Sequence, residues 1–313
     1  VIEYLVLLAV LAAFLTVDLV WINPSSCLSE KTSPKRAIIW SAVCAFAAVL
    51  FGLALIPAQN HGFLTTNLSG TDAALQFITA WLVEQSLSLD NVFVMAVILN
   101  FFEVPVKQQH RVLMLGILGA IVMRGACIFI GATLLQQFSW MNYVFAVMLL
   151  AAAYKLWALD EEKFNPADSK IYRLAAKLLP LSERYDGGRF TTRIDGKFLF
   201  TRLFLVLLLI ELTDLMFAFD SIPAVFAISS DPFIVFSSNM FAILNLRSLY
   251  SVLSALLERF SGLKSGLIGV LAFIGLKMGM SDLVHIPTWL SSVVIIGCLV
   301  FGMMRRTAPE KVS

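Results

Sequence analysis

Of the 313 residues, 59% are apolar and only 14% charged, with a mean hydropathy of +0.86, which excludes an ordinary soluble domain. A formal net charge of +2 excludes the basic footprint of a nucleic-acid binder, so the expected surroundings are a lipid bilayer with no nucleic acid. The four cysteines, Cys27, Cys44, Cys127 and Cys298, form no CxxC pair and read as packing residues.

Apolar runs long enough to cross a bilayer fall near 2–22, 37–56, 73–99, 112–135, 140–159, 199–228, 232–256, 265–285 and 288–304. The fold class predicted is all-α: a polytopic membrane protein of about nine transmembrane helices. The first run lacks the basic flank of a cleavable leader and reads as a span. The loop after it carries Lys31, Lys35 and Arg36, and the next, 57–72, carries no Lys or Arg. Lys107 and Arg111 mark the third connection, and 136–139 is uncharged. Residues 160–198 hold eight basic residues, 229–231 none, and Arg259 with Lys264 follow the seventh span. Arg305, Arg306 and Lys311 follow the ninth. The alternation puts the N-terminus outside and the C-terminus in the cytoplasm. Within the long basic loop, Ile171, Leu174, Ala175 and Leu178 share one helical face, the pattern of a short helix on the inner leaflet or of a solvated loop helix.

The third run contains Glu84-Gln-Ser-Leu-Ser-Leu-Asp90-Asn91-Val92, and the sixth contains Asp214-Leu-Met-Phe-Ala-Phe-Asp220-Ser221-Ile222. Both read as an acid, five residues, Asp, a small polar residue and a β-branched one. Gly119–Arg124 in the fourth run resembles Ala242–Arg247 in the seventh, and Tyr154-Lys155 in the fifth resembles Leu276-Lys277 in the eighth. The shared order predicts a 3+3 repeat of residues 73–159 and 199–285. Residues 1–72 would be two accessory helices, 160–198 a cytoplasmic loop, and 286–313 the last span and tail. The third run points inward and the sixth outward, so the repeat is inverted, an arrangement of secondary transporters that bind substrate at the midplane.

A charge at mid-span costs ~2.5–3.5 kcal/mol on insertion scales and is functional by default. Two uses compete here: ligation of a cation, or buried salt bridges to Arg124 and Arg247 that only hold helices together. The ligand candidates are Glu84, Asp90, Asn91, Asp214, Asp220, Ser221 and Asn239, with Glu211 a fifth acid. Their hard oxygens suit Mn²⁺, Mg²⁺ or Ca²⁺ over Zn²⁺ or Cu²⁺. In an unbroken helix a spacing of six turns two side chains roughly 120° apart. Convergence of Glu84 with Asp90, and of Asp214 with Asp220, therefore calls for unwinding between them, which Ser86, Ser88, Asn91 and Pro223 would ease. Protons and metal would compete for these oxygens, so export should strengthen as pH rises. The arginines are expected to pair with acids and not to meet the cation. Met95 and Met216 read as packing, Glu3 and Asp18 as interfacial, His61 and His110 as loop residues, and Asp282 with His285 as the outer end of the eighth span. No Ser/His/Asp set, HExxH or phosphate-binding glycine loop occurs, so no enzyme is expected.

The segments beginning at Glu84, Glu211 and Asp231 resemble the TerC family of integral membrane proteins over about residues 70–290, most closely its Alx-type bacterial inner-membrane members. That resemblance implies an inner-membrane protein of metal-ion homeostasis, associated with alkaline pH and manganese export. The family's acidic positions fall on Glu84, Asp90, Asn91, Glu211, Asp214, Asp220 and Ser221, with Asn239 in the following block. Gln85 stands where the family usually has Lys, and Asn245 where it usually has Gly. The reading is therefore a Mn²⁺ exporter, with a pH-homeostasis protein or a non-transporting scaffold or redox modulator as the competing classes. The oligomeric state is not legible.

Overall fold

The computed structural model describes residues 2–18, 34–66, 68–138, 140–158, 180, 182, 186–194, 197–256, 263–280 and 286–304. Among them an α-helix stands on each of the nine apolar runs. These are α1 (Ile2–Val17), α2 (Pro34–Asn60), α3 (Gly70–Phe101), α4 (Val106–Gln137), α5 (Met141–Ala158), α6 (Arg202–Phe226), α7 (Pro232–Leu256), α8 (Leu263–Gly279) and α9 (Thr288–Met304). Stretches of α2, α3 and α4 are long and apolar enough to cross a membrane.

Local chemistry sets the helix ends. Ser69 caps α3, its hydroxyl accepting from the Asp72 N–H at 3.1 Å while donating to the Asp72 carboxylate at 2.6 Å. Thr201 caps α6. Asp231 accepts from the N–H groups of Phe233 and Ile234 at 2.9 and 3.3 Å, and Pro232 fills the first helical position of α7.

Polarity runs inside-out. Val122, Val147, Trp157 and Phe301 are more than half exposed, whereas Thr79, Glu84, Arg124 and Asn239 are fully buried. Water would reward the reverse, so this surface fits an apolar solvent. α3 lies at the centre, packed against α2, α6, α7 and α9. Further packing pairs are α4 with α6 and α7, α5 with α6 and α8, α2 with α7, and α8 with α9. Helix α8 approaches α5 closely because residue 275 is glycine: a Cβ there would lie 2.9 Å from Leu150.

Two sequence expectations change, at the start of the sixth span and at His110. Glu3 and Asp18, at the two ends of the first span, are buried against the protein. Glu3 can be so because its carboxylate accepts from the N–H and hydroxyl of Thr65 at 3.1 and 2.6 Å. The sixth span was expected from residue 199, but 191–194 and 197–200 form an antiparallel hairpin, β1 (Thr191–Ile194) and β2 (Lys197–Phe200), and α6 starts after it. Alternating side chains around Asp195-Gly196 are the hairpin signal that the charge pattern obscured. This hairpin rests on the bundle through Arg111, which donates to the Gly188 carbonyl at 3.0 Å and covers the Phe190 ring. Finally, His110 belongs to the first turns of α4 and not to a loop, while His61 does lie in a turn. The proposed helix at 171–178, Asp282 with His285, and Cys27 lie outside the described residues.

Candidate cation site

Four helices meet at Arg124. Its guanidinium, from α4, is fully buried and grips Asp214 of α6 with two parallel bonds, Nε to Oδ2 at 3.1 Å and Nη2 to Oδ1 at 3.0 Å. Nη1 bonds Glu84 of α3 and donates to Asn239 Oδ1 of α7 at 3.2 Å. Around this hub, Asn91 donates to Asp214 Oδ1 and Ser221 donates to Glu84 Oε1, each at 3.3 Å.

Helical spacing explains the set. A separation of seven residues leaves two side chains only about 20° apart around a helix axis. Glu84 and Asn91 therefore share one face of α3, and Asp214 and Ser221 one face of α6. Ser88, one turn on from Glu84, joins the first stripe. The sequence had marked Ser88 only as a support for unwound backbone, and an i, i+4, i+7 count of polar residues would have found it.

The expected unwinding does not occur. Residues 84–90 lie within continuous α3 and 214–220 within continuous α6. Pro223 lies beyond Asp220 in the last turn of α6, so the N–H it lacks leaves residues 214–220 helical, and its carbonyl accepts from the Ala227 N–H at 3.1 Å. The side chains of Asp90, Asp220, Arg247 and Lys155 lie outside the described residues. Of the eight candidate ligands, Glu84, Asn91, Asp214, Ser221 and Asn239 are brought together. Among the described residues no three His, Cys, Asp or Glu side chains converge, and two carboxylates meet across one arginine. The predicted arginine–acid pairing is thus present at Arg124.

The pairing leaves oxygens over. Among the described residues, Glu84 Oε2, Ser88 Oγ and Asn91 Oδ1 are buried without a hydrogen-bond partner, as is Glu211 Oε2. A buried acceptor lacking a donor is costly. Two carboxylates against one guanidinium also leave a negative excess. Glu211, one turn from Asp214, lies against α4 at Gly119, where a Cβ would collide with its carboxylate. A crevice lined by Asn91, Met95, Ile98, Ile210, Thr213, Asp214 and Phe217 runs between α3 and α6 from the centre toward the hairpin end, closing to less than a water's width. Met95 belongs to that lining, whereas Met216 faces outward. Lys277 donates to the Ala227 carbonyl at 3.4 Å. Gln85 and Asn245, the two departures from the family pattern, have amide atoms buried without partners among the described residues.

A profile of the integral membrane protein TerC family matches residues 69–312. The chain belongs to the TerC family. The match opens at Ser69, the cap of α3, so α1 and α2 precede the TerC region. An uncharacterised membrane protein of Myxococcus xanthus is 43% identical over 265 residues, 85% of this chain and 80% of the relative. A protein of Escherichia coli K12 named as a proposed membrane-bound redox modulator, Alx, is 42% identical over 268 residues, 85% and 82% of the two chains. An uncharacterised membrane protein of Rickettsia felis is 37% identical over 302 residues, 96% of each. No solved structure matches the chain.

Proposed function

We propose that this TerC protein is a secondary transporter that exports divalent cations, Mn²⁺ foremost, from the cytoplasm through the centre around Glu84 and Asp214. On this reading it lies in the bacterial inner membrane with nine spans, N-terminus outside and C-terminus cytoplasmic, carrying cargo and catalysing no covalent chemistry. Residues 73–159 and 199–285 are its inverted repeats.

The observation that carries the reading is the pairing of Asn91 with Asp214 and of Ser221 with Glu84, each at 3.3 Å. Exchange of the two repeats turns one bond into the other. The packing behaves likewise: α3 with α7 exchanges with α6 with α4, and α5 with α6 exchanges with α8 with α3. The acids therefore face one another across a repeat interface, where inverted-repeat carriers hold substrate. Carboxylate, amide and hydroxyl oxygens without donors supply hard ligands for Mn²⁺, and the same set suits Mg²⁺ and Ca²⁺. Asp90 and Asp220 add two further carboxylates to these helices. Glu211, one turn before Asp214, adds a further carboxylate on α6.

Everted membrane vesicles test this with radioactive Mn²⁺, with and without a pH gradient, against Mg²⁺, Ca²⁺ and Zn²⁺ as competitors. Protein-dependent Mn²⁺ uptake, competed by hard divalent ions, is expected. Proton or monovalent-cation flux without Mn²⁺ flux would instead select the pH-homeostasis reading. A redox role, which the name of the E. coli relative suggests, finds Cys44, Cys127 and Cys298 free and on the separate helices α2, α4 and α9. A redox effect would then follow from metal supply.

A further inference from the structure

Arg124 occupies the place that a bridging ion would take. It contacts both repeat-related acids at once, and every one of its guanidinium nitrogens is bonded. It is fully buried, although arginine is among the side chains most expensive to bury. A helix-bracing role needs only one acid and a rim position; this side chain reaches instead to the middle of the oxygen cluster from a fourth helix. A divalent ion and this guanidinium compete for the same atoms, Glu84 Oε1 and both oxygens of Asp214. Asn239 offers the guanidinium a neutral acceptor at 3.2 Å, a contact it can keep when the acids are taken by an ion.

We infer that Arg124 is a tethered counter-cation, which binds Glu84 and Asp214 whenever the transported ion has left and is displaced when the ion enters. The inference rests on the transport reading above and adds to it how the empty carrier resets. Two carboxylates facing each other in a low-dielectric interior repel, so an empty centre without a cation resists closing. With Arg124 in place the two carboxylates of the empty protein share one positive charge in place of none, and it returns without a second ion. No bond is made or broken; a guanidinium and a metal ion exchange places on the same oxygens.

Purified protein in liposomes tests it through two fluxes, net Mn²⁺ efflux into metal-free buffer and Mn²⁺–Mn²⁺ exchange with the ion on both sides. Arg124→Gln should lose net efflux by an order of magnitude or more while keeping exchange, because exchange never visits the empty state. Its Mn²⁺ affinity should rise about tenfold, since a competitor lowers apparent affinity by the fraction of sites it occupies. Arg124→Lys, which keeps the charge, should keep measurable net efflux. If net efflux and exchange fall together and Mn²⁺ binds more weakly, Arg124 is a brace and the inference is overturned. Wild-type protein gives a second measurement that needs no variant: infrared difference spectra with heavy-nitrogen arginine should show guanidinium bands shifting when Mn²⁺ is added. Bound Mn²⁺ without a shifting arginine band overturns the inference but leaves the transport reading standing. Wild-type protein that neither binds nor moves Mn²⁺ overturns both.

Discussion

At the scale of single residues, the centre is an unequal balance of charge. Glu84 and Asp214 face one arginine, and the oxygens left over lie on Glu84, Ser88 and Asn91. Side-chain length then decides function. Glu84→Asp withdraws the carboxylate by one methylene, so Mn²⁺ flux in vesicles should weaken without vanishing. Gly119 is a steric test of Glu211: a Cβ at this position collides with its carboxylate. Gly119→Val should destabilise the protein by about 1–3 kcal/mol, the usual cost of overpacking, and lower its melting temperature in detergent. Unchanged melting and unchanged flux would show that Glu211 has room to leave α4. The sequence identified the acids and their arginine because charges stand out in an apolar run. It did not reveal which oxygens converge, since that depends on helical phase across four helices. Glu84 with Asn91 at a spacing of seven shares a face, and the six-residue spacing that drew attention does not.

At the scale of elements, caps and unbroken helices hold the centre. Sequence reasoning asked α3 and α6 to unwind so that two acids on one helix could meet. The structure satisfies the need differently, by bringing one acid from each helix to a third helix's arginine. Pro223 misled because a proline's effect depends on its place; standing beyond Asp220 in the last turn, it removes one backbone donor without unwinding residues 214–220. The hairpin at 191–200 was hidden for a related reason: hydropathy reads lengths and charges, whereas a strand of four residues declares itself by alternation and a turn. Capping gives this scale its prediction. Asp231→Ala removes the acceptor for the N–H groups of Phe233 and Ile234 and should cost about 1 kcal/mol of stability, read as a lower melting temperature. Asp231 stands about two turns before Asn239, the α7 residue at the centre, and its hydrogen bonds to Ser229, Phe233 and Ile234 are local to the start of α7, so Mn²⁺ flux should persist. Loss of flux at full stability would make the cap part of the transport path.

For the whole molecule, nine helices among the described residues pack with polar side chains at the centre and exposed apolar side chains facing outward. The nine helices were legible from hydropathy, and the alternation of Lys and Arg predicts an outside N-terminus and a cytoplasmic C-terminus. A reporter fused after Arg306 should therefore read cytoplasmic, and a periplasmic reading would reverse the direction of the proposed export. Helices α5 and α8 also interlock, where Leu150 lies against Gly275. The proposed export requires acids in α3 and α6 to act on one ion from both sides. Radioactive Mn²⁺ uptake into everted vesicles, compared for wild type, Asp90→Asn, Asp214→Asn and Asp220→Asn at equal membrane insertion, tests it. Each variant should be inserted and each should lose Mn²⁺ uptake. Full uptake by all three would show that these acids only brace the bundle, and the cation site would have to lie elsewhere.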